Sequence, residues 1–249
     1  MKQINFGYSI KLGIDENIIN EIDEYFTRFD IAEIKLDFNF YTNERFMSVS
    51  QYLSNKYSSK ISIHLDNNIF SKYDCDEYLS NMKKVFFDVK YFIIHIPCDY
   101  EINFSYKLYK IISYLPTQSK ILFENEMRKN SLFEISKVVD LIRNLQLEKR
   151  VGICLDIGHF YLVDGYVDLY EMIENHKELR NMIDEVHLHA TVDKKAHNSF
   201  NLNHEQLIQS IKILEKLSNV NRGILEFKNV DVLGDFAGEQ VELLRNLCN

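Results

Sequence analysis

The sequence has no tryptophan, only two prolines and only eight glycines. No Gly/Ser/Pro-rich linker divides it and no segment is low in complexity, so a single domain over residues 1–249 is expected. The abundance of Asn, Ile, Lys and Tyr reads as compositional bias rather than mechanism. Its four cysteines, Cys75, Cys98, Cys154 and Cys248, are scattered and form no CxxC pair. That argues for reduced thiols rather than a disulfide framework. No apolar run approaches the roughly 18 residues of a membrane span. The opening "MKQINFGYSIKLG" has no apolar core of a secretory signal. A cytoplasmic protein with no membrane partner is the expectation. A basic excess is missing too: 29 Lys and Arg face 37 Asp and Glu, giving a formal net charge of −8. Nucleic-acid partners are therefore disfavoured, because each phosphate contact calls for a cation.

What remains is ordinary globular composition, 46% hydrophobic and 27% charged. Eight short apolar runs punctuate it. They are "INFGYSI" from Ile4, "IAEIKLDF" from Ile31, "KISIHLD" from Lys60 and "YFIIHIP" from Tyr91. "KILFENE" from Lys120, "VGICLDIGH" from Val151, "DEVHLHAT" from Asp184 and "RGILEFKN" from Arg222 complete the series. Most are near-continuous Ile, Val, Leu and Phe, as in strands covered on both faces.

Between the runs lie stretches with helical spacing. In "DENIINEIDEYFTRF", Ile18, Ile19, Ile22, Tyr25, Phe26 and Phe29 form one stripe. Ser71 is a candidate N-cap of the helix that follows it. Asn130 or Ser131 caps "NSLFEISKVVDLIRNL", with Glu134 in capping-box position to Ser131. Strand followed by helix, eight times over, predicts an α/β fold, a (β/α)8 TIM barrel. A doubly wound open sheet fits less well, since no Gly-rich first turn is present.

In such a barrel the functional end is the C-terminal end of the strands. The polar residues fall there. His64, His95, Glu124, Asp156, His187 with His189, and Glu226 end six successive runs. Singly, each has an ordinary use: a structural histidine, a helix cap, an ion-pair partner. Together, three carboxylates at one small mouth repel one another unless a cation joins them. A divalent metal is the expectation. Two glutamates, an aspartate and a histidine suit Mn²⁺, Mg²⁺ or Co²⁺, with Zn²⁺ also compatible. Binding by His64, His95 and His159 as well would favour Zn²⁺ in a multinuclear cluster.

In order and spacing, "FEN" (Phe123 to Asn125), "CLDIGH" (Cys154 to His159), "VHLH" (Val186 to His189) and "LEF" around Glu226 resemble the xylose-isomerase-like TIM-barrel superfamily. That superfamily includes sugar phosphate isomerases and epimerases and the endonuclease IV enzymes. The resemblance spans essentially the whole chain. It implies Glu124, Asp156, His187 and Glu226 as central metal ligands, with His189 sharing the strand parity of His187. It also implies His64, His95 and His159 as ligands of additional zinc in the endonuclease branch. In the epimerase branch His159 is instead a substrate contact. The sequence departs from the pattern at Ala190, where an acid usually follows. It departs again at Lys195, where the endonuclease branch has the acid of an Asp-x-His pair ending here at His197.

The leading expectation is a metal-dependent isomerase or epimerase of a carbohydrate-like substrate, with Mn²⁺ or Zn²⁺ foremost. Proton transfer would pass through an ene-diolate, with Glu124 and Glu226 as base and acid. His159, His64, His95 and His189 would contact substrate, and Glu126 would lie farther out. A zinc-dependent phosphodiester hydrolase of the endonuclease IV type is the alternative, and a non-catalytic ligand-binding barrel the third. Barrels of this type often form homo-oligomers.

Overall fold

The computed structural model describes residues 3–12, 17–36, 40–66, 69–70, 76–97, 104–126, 131–163, 165–228 and 230–248. Eight parallel strands close into a barrel. They are β1 (Asn5–Lys11), β2 (Ile31–Lys35), β3 (Ile61–His64), β4 (Tyr91–His95), β5 (Lys120–Glu124), β6 (Val151–Asp156), β7 (Ile183–Leu188) and, after an antiparallel hairpin, β10 (Arg222–Leu225). The hairpin strands are β8 (Ala190–Val192) and β9 (Lys195–Asn198). Around the ring the order is β1, β10, β7, β6, β5, β4, β3, β2.

One helix follows each of the first five strands: α1 (Ile18–Arg28), α2 (Glu44–Tyr57), α3 (Asp76–Val85), α4 (Phe104–Tyr114) and α5 (Ser131–Asn144). Three follow β6, namely α6 (Ile157–Val163), α7 (Tyr166–Asn175) and α8 (Lys177–Met182). Helix α9 (His204–Lys216) precedes β10 and α10 (Asp235–Cys248) closes the chain. Ser71 and Asn130 lie outside the described residues. In α1 the buried stripe is Ile18, Ile22, Tyr25 and Phe26, continued by Phe29. Ile19 does not belong to it: it is 37% exposed, rotated off the core-facing side.

Alternation along the strands separates two layers. Phe92, Ile94, Ile121, Phe123, Ile153, Leu155, Val186 and Leu188 pack outward in the core shared with the helices. A second, small apolar cluster of Tyr91, Ile93, Leu122 and Cys154 lies on the other face, inside the barrel. The interior is otherwise polar to an unusual degree. Glu33, Ser62, Glu185, His187 and Arg222 are all buried, and Arg222 Nε donates to Glu185 Oε2 at 2.5 Å. The register then sets the height of the site. His95 is level with Glu124, Glu124 with Cys154, and Asp156 with His187.

Strand β1 meets β2 at a point where only glycine fits. The Tyr25 hydroxyl accepts from Tyr8 N–H at 2.7 Å and donates to Ile31 O at 2.9 Å. A Cβ on Gly7 would lie 1.7 Å from Ile31 O and 2.9 Å from the Tyr25 hydroxyl. The obstacle is backbone, so Gly7→Ala must part the two strands. It is expected to destabilise the fold by about 3 kcal/mol, measured by urea unfolding against the parent protein.

Candidate metal centre at the barrel mouth

The strand-end residues converge. Glu124 from β5, Asp156 from β6, His187 from β7 and Glu226 just past β10 each place a donor atom within 4.8 Å of the others. All four are buried, Glu226 the least so at 6% exposure. The main chain holds them in place. Asn125 donates through Nδ2 to Asp156 O at 2.9 Å and accepts from Asp156 N–H at 2.8 Å, tying the ends of β5 and β6 together. Glu226 N–H donates to Leu188 O at 3.1 Å, fixing the end of β10 against β7.

The other histidines flank this group on two sides. His64 Nε2 and His95 Nε2 lie 2.9 and 3.2 Å from Glu124 Oε2. With Glu124 they form a second compact donor group. Glu126 turns inward to His95, its Oε1 2.7 Å from His95 Nδ1. On the other side His159, His189 and His197 form an all-histidine group. His189 Nε2 is 3.2 Å from Asp156 Oδ1, and His197 Nδ1 is 3.4 Å from Glu226 Oε2. His187 and His189 thus serve different groups. Both face inward, but His187 sits among the carboxylates while His189 lies above, against His159 and His197.

Gly158 lies inside a helix, since residues 157–163 form α6 directly after β6. Asp156 Oδ1 accepts from His159 N–H at 2.9 Å and so caps this helix as well as facing the mouth. The glycine is required because a Cβ there would meet three ring atoms of His189 at 2.3 to 2.5 Å.

Several site residues lie outside the strand-end set of carboxylates and histidines. Glu33 and Lys35 lie on β2, and Lys35 Nζ is 2.6 Å from Glu226 Oε1. Glu185 lies below His187 on β7. The available signal was a charged residue within or beside an apolar run, as Glu33 and Lys35 are in "IAEIK", Glu185 in "DEVHL" and Arg222 in "RGILE". Strand parity then places it inside.

Electrostatics follow from burial. Burial alone would raise the Glu124 carboxyl, but His187 and His95 beside it hold it well below the usual carboxylate range. Burial is likewise outweighed at Asp156, whose carboxyl is lowered by His159 and His189. His95 is disfavoured as a cation by burial, yet Glu124 and Glu126 push it up to about 10. His197 goes the other way, down to about 4, through burial and the neighbouring His189. Neighbouring imidazoles thus offset part of the buried carboxylate charge. That balance is incomplete: Asp156 Oδ2 and His189 Nε2 are buried with no hydrogen-bond partner. Buried polar atoms are rarely left so. Orphaned donors and acceptors among clustered carboxylates and imidazoles fit a divalent cation.

No protein-family model matches the chain, and no curated protein matches it in sequence. Solved structures do match in shape. Endonuclease IV from Thermus thermophilus superposes with a TM-score of 0.69 at 10% identity, over 98% of each chain. The 3-keto-D-glucoside 4-epimerase from E. coli gives 0.60 at 12% identity, over 98% of this chain and 100% of that one. A probable 3-DHS dehydratase of petrobactin synthesis from Bacillus anthracis gives 0.52 at 14%, over 96% and 97%. This chain has their fold. It is a closed, eight-stranded parallel (β/α)8 barrel, and at these identities the likeness extends to architecture, not to reaction. Among the described residues no helix is long and apolar enough to cross a membrane.

Purified protein is expected to hold a divalent metal by elemental analysis. Asp156→Ala should lower the occupancy at least tenfold, consistent with the sensitivity of metal sites to loss of a ligand or its support. Stoichiometric metal in the variant would remove Asp156 from the ligand set.

Proposed function

We propose that this chain is a divalent-metal-dependent isomerase or epimerase of a carbohydrate-like hydroxy-carbonyl compound. One observation carries the reading. Glu124 and Glu226 stand on strands separated by β6 and β7, yet they bring carboxylate oxygens into one group with Asp156 and His187. Two carboxylates facing one space from opposite sides are what proton removal from one carbon and return to its neighbour, or to its other face, requires.

The residues that would hold the metal are Glu124, Asp156, His187 and Glu226. When bound, it would supply Lewis-acid polarisation of a carbonyl and an adjacent hydroxyl. The remaining chemistry belongs to the chain. Glu226 takes or returns a proton at the carbon facing β10, and Glu124 does so from the β5 side. Lys35, with its ammonium 2.6 Å from Glu226 Oε1, sets positive charge where negative charge develops. His159, anchored through Nδ1 to Asn125 O at 2.9 Å and packed edge-on with the rings of His189 and His197, would orient a substrate hydroxyl. Mn²⁺ suits the oxygen-rich central group. A cytoplasmic setting accords with Cys154 and Cys248, both free among the described residues.

A second reading has its own support. The two flanking groups, His64–His95–Glu124 and His159–His189–His197, offer places for further zinc, as a phosphodiester hydrolase would need. Against it stand Lys195, where an acid would complete the third group, and the net charge of −8.

The deciding measurement is solvent exchange. Metal-loaded protein incubated with a panel of ketoses in D₂O should incorporate one deuterium at the carbon next to the carbonyl. Glu226→Gln should slow this by about 10²-fold or more. Robust nicking of abasic DNA after zinc loading, abolished by His95→Ala, would instead establish the hydrolase.

A further inference from the structure

His187 divides its ring between two sets of carboxylates. Nδ1 faces the mouth, 2.9 Å from Glu124 Oε1 and 3.8 Å from Glu226 Oε1. Nε2 faces down the barrel, 3.0 Å from Glu33 Oε2 and 3.6 Å from Glu185 Oε1. The two lower acids are not equivalent. Glu185 is already engaged: Arg222 Nε donates to its Oε2 at 2.5 Å and Ser62 Oγ to its Oε1 at 3.0 Å. Glu33 has one oxygen occupied, by Ser9 Oγ donating to Oε1 at 2.7 Å. Its Oε2 is buried with no hydrogen-bond partner, and so is His187 Nε2. Both residues are completely inaccessible to solvent. The carboxylate oxygen and the ring nitrogen lie 3.0 Å apart, and neither makes a hydrogen bond to any other group.

Glu33 is too deep to be a ligand itself. In the β2–β3 register it pairs with Ser62, one layer below Lys35 and His64 at the mouth. Its place is behind His187, on the side away from the donor group.

We infer that Glu33, braced by Ser9, is a positioning residue that keeps the proton of His187 on Nε2 and so presents Nδ1 to the metal. The inference rests on the metal reading above. A neutral imidazole has one donating and one accepting nitrogen. Carboxylates face both nitrogens and can only accept, but on the Glu124 side a metal would stand in for the proton, which leaves the remaining proton on Nε2 against Glu33. A carboxylate behind a ligating histidine also fixes the ring's orientation and strengthens it as a ligand. Ser9 does for Glu33 what Glu33 does for His187: with Oε1 held, Oε2 stays under the ring.

The test uses the full chain, stripped of metal and titrated with Zn²⁺ against a competing chelator. Glu33→Gln is expected to weaken Zn²⁺ binding by about 10- to 100-fold without changing stoichiometry. Ser9→Ala is expected to weaken it by a smaller factor. Nitrogen-15 spectra of histidine-labelled, Zn²⁺-loaded parent protein should show His187 ligated through Nδ1 and protonated at Nε2. A merely structural role for Glu33 would not dictate that assignment. Wild-type affinity in both variants, or Nε2 as the metal-bound nitrogen, overturns the inference and leaves the metal reading standing. A parent protein that binds no Zn²⁺ overturns both. Should Glu33→Gln fail to fold by circular dichroism, Ser9→Ala decides, since it removes one hydrogen bond and leaves the buried carboxylate in place.

Discussion

The constraint on which this barrel depends is the neutralisation of acid in its interior. Glu33, Glu124, Asp156, Glu185 and Glu226 are all buried within one ring of strands. A buried carboxylate is tolerated only when paired and hydrogen-bonded. The pairing is apportioned by height. Near the lower end Arg222 and Ser62 satisfy Glu185. At the rim Lys35 meets Glu226. Between them His187 is shared by Glu33 and Glu124. Permanent cations meet Glu185 at the lower end and Glu226 at the rim, while Glu33, Glu124 and Asp156 are left to imidazoles, whose charge is optional. Groups that can give up a proton can accept a metal in its place.

This arrangement explains why the interior departs from the apolar layers usual in such barrels. Among the described residues, only Tyr91, Ile93, Leu122 and Cys154 form an apolar cluster there. The outward layer, packed against the helices, carries the hydrophobic burial that holds the fold together. Stability and chemistry are thereby assigned to opposite faces of the same strands. A residue's parity decides which it serves: Leu155 packs against helices while its neighbours Cys154 and Asp156 look inward.

Much of this was legible in the chain. Eight apolar runs separated by amphipathic stretches imply a parallel barrel because strand–helix repetition with right-handed crossovers allows few other closures. A polar residue at the end of an apolar run implies a position at the mouth. Glu124, Asp156 and Glu226 could be picked out by that reasoning alone. Glu33 and Glu185 were not, because they lie within runs rather than at their ends, and a lone acid inside a strand is ordinarily read as solvent-facing. Nor was the role of Gly158, whose need for a missing side chain comes from His189, distant in sequence.

The sequence by itself determined the order of elements, the two-faced strands and the set of groups able to bind a cation, since periodicity and residue type are local properties. The tertiary structure decided which groups meet. Closure of the ring brings β2 within side-chain reach of β7 across the interior, so Glu33 stands behind His187, although 154 positions separate them in the chain (187 − 33). It also divides two histidines of equal parity between different neighbours, His187 among carboxylates and His189 among histidines. Contacts across a barrel depend on register and curvature, which no stretch of sequence specifies alone.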